Sequence, residues 1–174
     1  MITLFTISSI ICLGFILIVL KLFDLNSISQ SYYELGKIDK KYNILFSLWA
    51  VLSSLTLLPV LFELVPDPYK IFAFLSGLGL FFVGGAPHFY EENEGKIHFT
   101  SAAVCLISSF ILQIIFNLKI LAILTGLLYI IIILLSLMFK HSKVDKKRIL
   151  YLELVAFSSM YLAILIKLIE YESK

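Results

Sequence analysis

Six apolar runs, each long enough to cross a bilayer, take up most of the 174-residue chain. A membrane span needs about 20 mostly apolar residues, with about 17 to 25 tolerated. The runs lie at 2–23, 43–64, 69–85, 99–116, 120–139 and 149–169, with short polar segments between them. This pattern predicts an all-α polytopic integral membrane protein. Its single domain, 1–174, would be a bundle of six transmembrane helices with a short interfacial helix after the first span. The third run is the shortest and has room to extend through Pro87. Only Asn117-Leu118-Lys119 separates the fourth from the fifth. That spacing predicts a tight helical hairpin, because unpaired backbone is not tolerated in hydrocarbon.

The loops have features of their own. Residues 26–36 predict a short capped helix: Ser31 and Glu34 have capping-box spacing, with Ser27 and Ser29 as alternative caps. Gly36 suits a left-handed stop, and Tyr32 and Tyr33 suit interfacial anchors. Such a helix either lies on the membrane surface or covers a polar cavity as a lid. Val65-Pro66-Asp67-Pro68 predicts a turn, since each proline disfavours helix at the residue before it. Pro59 falls inside the second run and predicts a bend there.

Composition then fixes the solvent. Hydrophobic residues make up 60% of the chain and charged residues 15%, against roughly 25% charged in soluble domains. Mean hydropathy is +1.01. Lipid is therefore the expected surrounding and the bilayer the expected partner. A net charge of +2 is too small to suggest nucleic acid. Met1-Ile2-Thr3-Leu4 lacks a basic leader, which favours a retained first span over a cleaved signal peptide. Cys12 and Cys105 lie inside apolar runs, as small packing residues do.

Charge also orients the spans. One side carries Lys21, Lys37, Lys40, Lys41, Lys96, Lys140, Lys143, Lys146, Lys147 and Arg148; the other carries Lys70, Lys119, Lys167 and Lys174. Ten against four predicts the first side as cytoplasmic. The expected location is a cell membrane, read as a bacterial inner membrane, with both termini outside.

Small residues recur at helical spacing: Ala73, Gly77 and Gly84; Ala102, Cys105 and Ser109; Ala122 and Gly126; Ala156, Ser159 and Ala163. In lipid such stripes let backbones approach closely. They predict a compact bundle with little central water. Gly84-Gly85-Ala86-Pro87 lacks the lysine and hydroxyl of a phosphate-binding loop.

Candidate chemistry gathers on the predicted cytoplasmic face, which holds His88, His98 and His141. Imidazole and carboxylate ligate zinc or iron, so His88, Glu94 and His98 are the metal candidates. Glu94 and His98, at i and i+4, would share a helix face, either anchoring the helix or relaying a proton. Glu153 stands about one turn into the sixth run, on the face that Ala156, Ser159 and Ala163 continue. An ionisable group there either points into the bundle for function or snorkels towards Lys147 and Arg148. Ser53-Ser54, Ser108-Ser109 and Ser158-Ser159 suit bonds to carbonyls of their own helices, and no Ser-His-Asp arrangement is visible.

At Ser27-Ile28-Ser29-Gln30-Ser31-Tyr32-Tyr33, Gly85-Ala86-Pro87 and Glu94-Gly95-Lys96-Ile97-His98-Phe99-Thr100-Ser101-Ala102-Ala103 the chain resembles small six-span membrane proteins of gut bacteria and their phages. The resemblance covers the whole length and implies no catalytic residue. A more distant similarity is to the alkaline ceramidases and progestin/adipoQ receptors, which build a metal site from histidines, an aspartate and a serine near one membrane face. Six spans in place of seven, and no paired histidines in the last span, depart from that pattern.

The expected function is non-enzymatic: binding of a lipid or small ligand, or sensing or modulation of the membrane. A polar cap of Ser29, Tyr33, Glu94, His98 and Glu153 would carry it, without a cofactor. A zinc-dependent hydrolase of a lipid amide or ester is the alternative, and a small transporter the third reading.

Overall fold

The structure, a computed structural model, describes residues 1–140 and 143–173, and of Val144 the backbone only. His141 and Lys174 therefore lie outside the described residues. The chain is all-helical, with no strand among the described residues. Helix α1 spans Ile2–Leu22, α2 Ser31–Ile38, α3 Ile44–Leu64 and α4 Lys70–Gly85. Then follow α5 at Glu92–Ile115, α6 at Lys119–Met138, the single turn α7 at Lys143–Lys146, and α8 at Arg148–Glu172. Six of these helices are long and apolar enough to cross a membrane. Their outer faces carry large apolar side chains: Ile120 is 78% exposed, and Ile10 and Leu17 are each 68% exposed. A water-soluble bundle would bury such side chains.

Five of the six runs match their helices within three residues at each end. The exception is α5, which starts at Glu92 and not near residue 99. Glu92 and Glu94 sit in its first turn, where carboxylates favour the positive end of the helix dipole. Glu92 pairs with Lys96 one turn on, while Glu94 and His98 find the partners described below. Helix α4 ends at Gly85 without running on to Pro87. Helix α3 continues unbroken through Pro59. Asn117 takes up φ 61° between α5 and α6, a left-handed conformation that asparagine tolerates, and the tight hairpin closes there.

The first loop departs from expectation. Helix α2 is capped by Gln30 without a side-chain cap bond, while Ser27 Oγ accepts from Gln30 N–H at 3.1 Å. Glu34 closes no capping box; it pairs with Lys37 at 2.8 Å. Gly36 is not left-handed, and α2 runs past it to Ile38. The stop falls at Asp39, whose carboxylate accepts from Lys41 N–H and caps the 3-10 turn Lys40–Asn43. Tyr32 is buried, not facing lipid.

The central helix is α4, packed closely on both α3 and α5. Its glycines show how. A Cβ on Gly84 would lie 2.8 Å from Ala50 Cβ of α3, and one on Gly77 2.6 Å from the Leu58 side chain. On the opposite face, a Cβ on Gly79 would lie 2.7 Å from the Ser101 carbonyl oxygen of α5. Hydroxyls then staple the seams. Ser54 Oγ donates to Gly77 O at 2.6 Å, reaching the neighbouring helix and not its own. Ser76 and Ser109 meet at 2.9 Å between α4 and α5. Ser8 and Tyr161 meet at 2.8 Å between α1 and α8. Gln113, itself bonded to Thr125, donates to Ser159, which ties α5, α6 and α8 together.

Helix α8 packs on α6 but only lightly on α3 and α5. The expected tight interior is therefore not reached. A cavity of about 250 Å³ remains between α3, α4, α5 and α8.

Candidate functional site

The cavity owes its roof to the loop between α1 and α2. Leu25 and Ile28 are each 1% exposed and draw this loop down into the bundle. Its backbone must then find partners away from water. Helix α8 supplies them, because first-turn N–H groups lack intrahelical acceptors. Leu150 N–H donates to Asn26 O at 3.0 Å. One turn further on, Glu153 Oε2 accepts from Ile28 N–H at 2.5 Å. Lys147 pairs with Asp24 at the outer edge. Each partner holds the other charged, so the Asp24 carboxyl lies below its ordinary range and the Lys147 ammonium above its own. Glu153 therefore does not snorkel to Lys147 or Arg148. Arg148 is turned instead to Ser136 and Asp145.

Helix α5 approaches from the other side. His98 is 2% exposed, with Phe46, Phe89 and Phe99 around it. Its Nδ1 lies 2.9 Å from Ala86 O, and its Nε2 lies 2.9 Å from Ser29 Oγ. The Glu94–His98 pairing expected from their spacing is not formed. Glu94 Oε2 accepts from His88 N–H at 3.0 Å, and both ring nitrogens of His98 are engaged elsewhere.

Ser29, His98 and Glu153 all line the cavity. Tyr33 and Glu94 do not; they brace the third loop behind it. Tyr33 Oη accepts from Tyr90 N–H at 3.3 Å, and its ring lies against Phe89 and Tyr90. Tyr32 completes the brace, with its hydroxyl 2.9 Å from His88 Nε2 and accepting from Asn43 Nδ2 at 3.0 Å. Burial raises the phenol pKa of both tyrosines, keeping them as neutral hydrogen-bonding groups. Helix α2 is thus fixed against the third loop, behind the cavity.

Below its polar head the cavity is almost wholly apolar. Trp49 and Leu57 of α3, Leu80 of α4, and Phe157 and Met160 of α8 form its walls. The run from Glu153 to Tyr161 covers about 12 Å at 1.5 Å per helical residue. Tyr161, Ser76 and Ser109 put a few hydroxyls at the deep end. Phe99 and Ala103 of α5 and Ile149 of α8 line the cavity and are also exposed on the outer surface. The open side therefore lies between α5 and α8, facing the outer surface of the bundle.

No group of three or more His, Cys, Asp or Glu side chains that could hold a metal gathers among the described residues. His88, Glu94 and His98 hold Tyr32, the backbone and Ser29 instead. The zinc set considered from the sequence does not assemble here. Cys12 and Cys105 are free thiols.

Sequence reasoning missed Trp49, Ser76, Phe157 and Tyr161 as cavity residues. Tyr161 left one signal: a phenol inside an apolar run, eight positions from Glu153 and so close to its helical face. The others carry none, since an aromatic residue or serine in a membrane helix reads as packing. No protein-family model, curated protein or solved structure matches the chain.

Proposed function

We propose that this membrane protein binds a lipid, or a small molecule of similar amphiphilic shape, taken laterally from the bilayer. The observation that carries the reading is the cavity: apolar along its walls, headed by Ser29, His98 and Glu153, and open between α5 and α8. Its volume of about 250 Å³ approaches the range of small-ligand pockets, roughly 300–1,000 Å³. Hydroxyl, imidazole and carboxylate at one end suit a polar headgroup or ester, and the apolar walls suit alkyl chain. Binding there would let the protein sense or modulate the surrounding membrane. Among the described residues no donor set supports the metal-dependent hydrolase reading, and it is not carried forward.

A phospholipid with a photoactivatable acyl chain, reconstituted with the full chain in vesicles, tests this reading. Cross-links are expected on α5 and α8 peptides that line the cavity, and Ala156→Trp should reduce them to background while leaving the melting temperature nearly unchanged. Cross-links confined to the outer face of α6, or undiminished in Ala156→Trp, would overturn it.

We further propose that the polar-headed end faces the cytoplasm of a bacterial inner membrane, on the ten-to-four asymmetry of basic residues. In intact cells an impermeant maleimide should then label Lys70→Cys readily, and Lys96→Cys only after permeabilisation. The reverse pattern would invert the orientation.

A further inference from the structure

We propose that Ser29 and His98 form a nucleophile–base dyad that opens a carboxylic ester of a lipid held in the cavity, with its acyl group passing transiently to Ser29. This goes beyond binding and rests on the lipid-binding reading above for its substrate.

The hydrogen bonds of His98 fix its tautomer. Ala86 O is a carbonyl oxygen and only accepts, so Nδ1 carries a proton. In the neutral ring Nε2 then holds a lone pair, and its partner at 2.9 Å, Ser29 Oγ, donates to it. A serine hydroxyl aimed at an imidazole lone pair, with the far side of the ring held by a third group, is the ground state of an activated nucleophile. Here a backbone carbonyl holds the ring in place of a carboxylate.

The surroundings complete the arrangement. Glu153 holds the Ile28 N–H, which immobilises the residue before Ser29. The Ser29 N–H itself finds no protein acceptor among the described residues. An N–H on the nucleophile's own residue is a suitable donor to the oxyanion of an acyl-transfer intermediate. Ser29 and His98 both face the cavity, whose apolar walls would hold the acyl chain beside them.

The chemistry balances with water as the second reactant. Ser29 Oγ bonds to the ester carbonyl carbon as its proton passes to His98 Nε2. The carbon–alkoxy bond then breaks, and the leaving oxygen takes that proton to depart as an alcohol. Water, deprotonated in turn by His98, attacks the acyl-Ser29 ester and releases a fatty acid, with the proton returning to Ser29.

An alkyl fluorophosphonate, applied to the full chain in vesicles beside the photoactivatable phospholipid, tests the dyad. The expected result is a phosphonate adduct on the Ser29 peptide of the native chain, lost on prior denaturation and absent in Ser29→Ala. His98→Gln should slow labelling about a hundredfold or more, the usual scale for loss of a general base. No adduct on Ser29 in a chain that does cross-link the phospholipid, or equal labelling rates in His98→Gln, would overturn the dyad and leave binding standing. A His98-dependent adduct without phospholipid cross-linking would keep the dyad and overturn the lipid as its substrate.

Discussion

The Glu153 carboxylate and the Ile28 amide stand 2.5 Å apart across 125 residues of sequence. This bond joins the last membrane helix to the loop that roofs the cavity. It also explains how an acidic group is retained inside an apolar run: the carboxylate completes a backbone that burial would otherwise leave unpaired.

Removing that acceptor should loosen the roof. Glu153→Ala leaves a buried N–H without a partner, a loss of about 1–3 kcal/mol. Glu153→Gln keeps an amide oxygen in place and should cost less than half as much. Unfolding in mixed detergent micelles measures both, and amide exchange over 26–31 should quicken most in Glu153→Ala. Equal stability of the two variants would show that the bond does not hold the loop.

The Asp24–Lys147 pair makes a prediction about pH. Asp24 titrates below its ordinary value, so its contribution is whole above the unfolded-state value, about 3.9, and is lost as pH falls through the lower folded value. Lys147 titrates above its ordinary value, so its contribution is whole below about 10.4 and is lost as pH rises through the higher folded value. The stability difference between wild type and Asp24→Asn should therefore be flat from about pH 5 to about pH 9. It should shrink at 1 M salt, where the Debye length is about 3 Å. A slope inside that window would mean that another group governs the edge of the roof.

Two glycines should behave oppositely. At Gly79 a methyl group meets the Ser101 carbonyl oxygen and the Cys105 backbone of α5, neither of which can rotate away. Gly79→Ala should cost about 1–3 kcal/mol through overpacking. At Gly14 an added methyl group would meet nothing within 4 Å, so Gly14→Ala should be neutral or gain up to about 1 kcal/mol of helix propensity. Thermal unfolding of the pair checks the α4–α5 seam directly. A harmless Gly79→Ala would mean that the two helices stand further apart.

Ser54→Ala isolates one staple from its seam. The hydroxyl bond to Gly77 O is short, at 2.6 Å. Interhelical hydrogen bonds in membranes nevertheless average only about 0.6 kcal/mol, because the unfolded state in lipid also finds partners. The loss should therefore fall below that of Gly79→Ala, since close packing and not hydrogen bonding dominates these contacts. The reverse order, measured under the same conditions, would reject that ranking.

The span boundaries were legible because hydropathy is a property of consecutive residues, and a helix in lipid satisfies its own backbone. Glycine and alanine at helical spacing likewise announced the α3–α4 seam through Ala73, Gly77 and Gly84. Local signals misled where tertiary bonds were stronger. Gly36 and the Ser31–Glu34 pair suggested a cap and a stop, yet α2 is set by Tyr32 and Leu35 packing beneath it. His98 and Glu94 suggested each other by spacing and found other partners across the bundle.

Sequence alone therefore determined the six apolar helices and the gathering of polar residues towards one end. Only the tertiary structure decided that Ser29, His98 and Glu153 meet at the head of one cavity, while Tyr33 and Glu94 stand behind it. The physical reason is range. Lipid solvation and helix formation act residue by residue along the chain. The contact of Ser29 with His98 spans 69 residues and that of Ile28 with Glu153 spans 125, so each depends on how α5 and α8 are brought to the first loop.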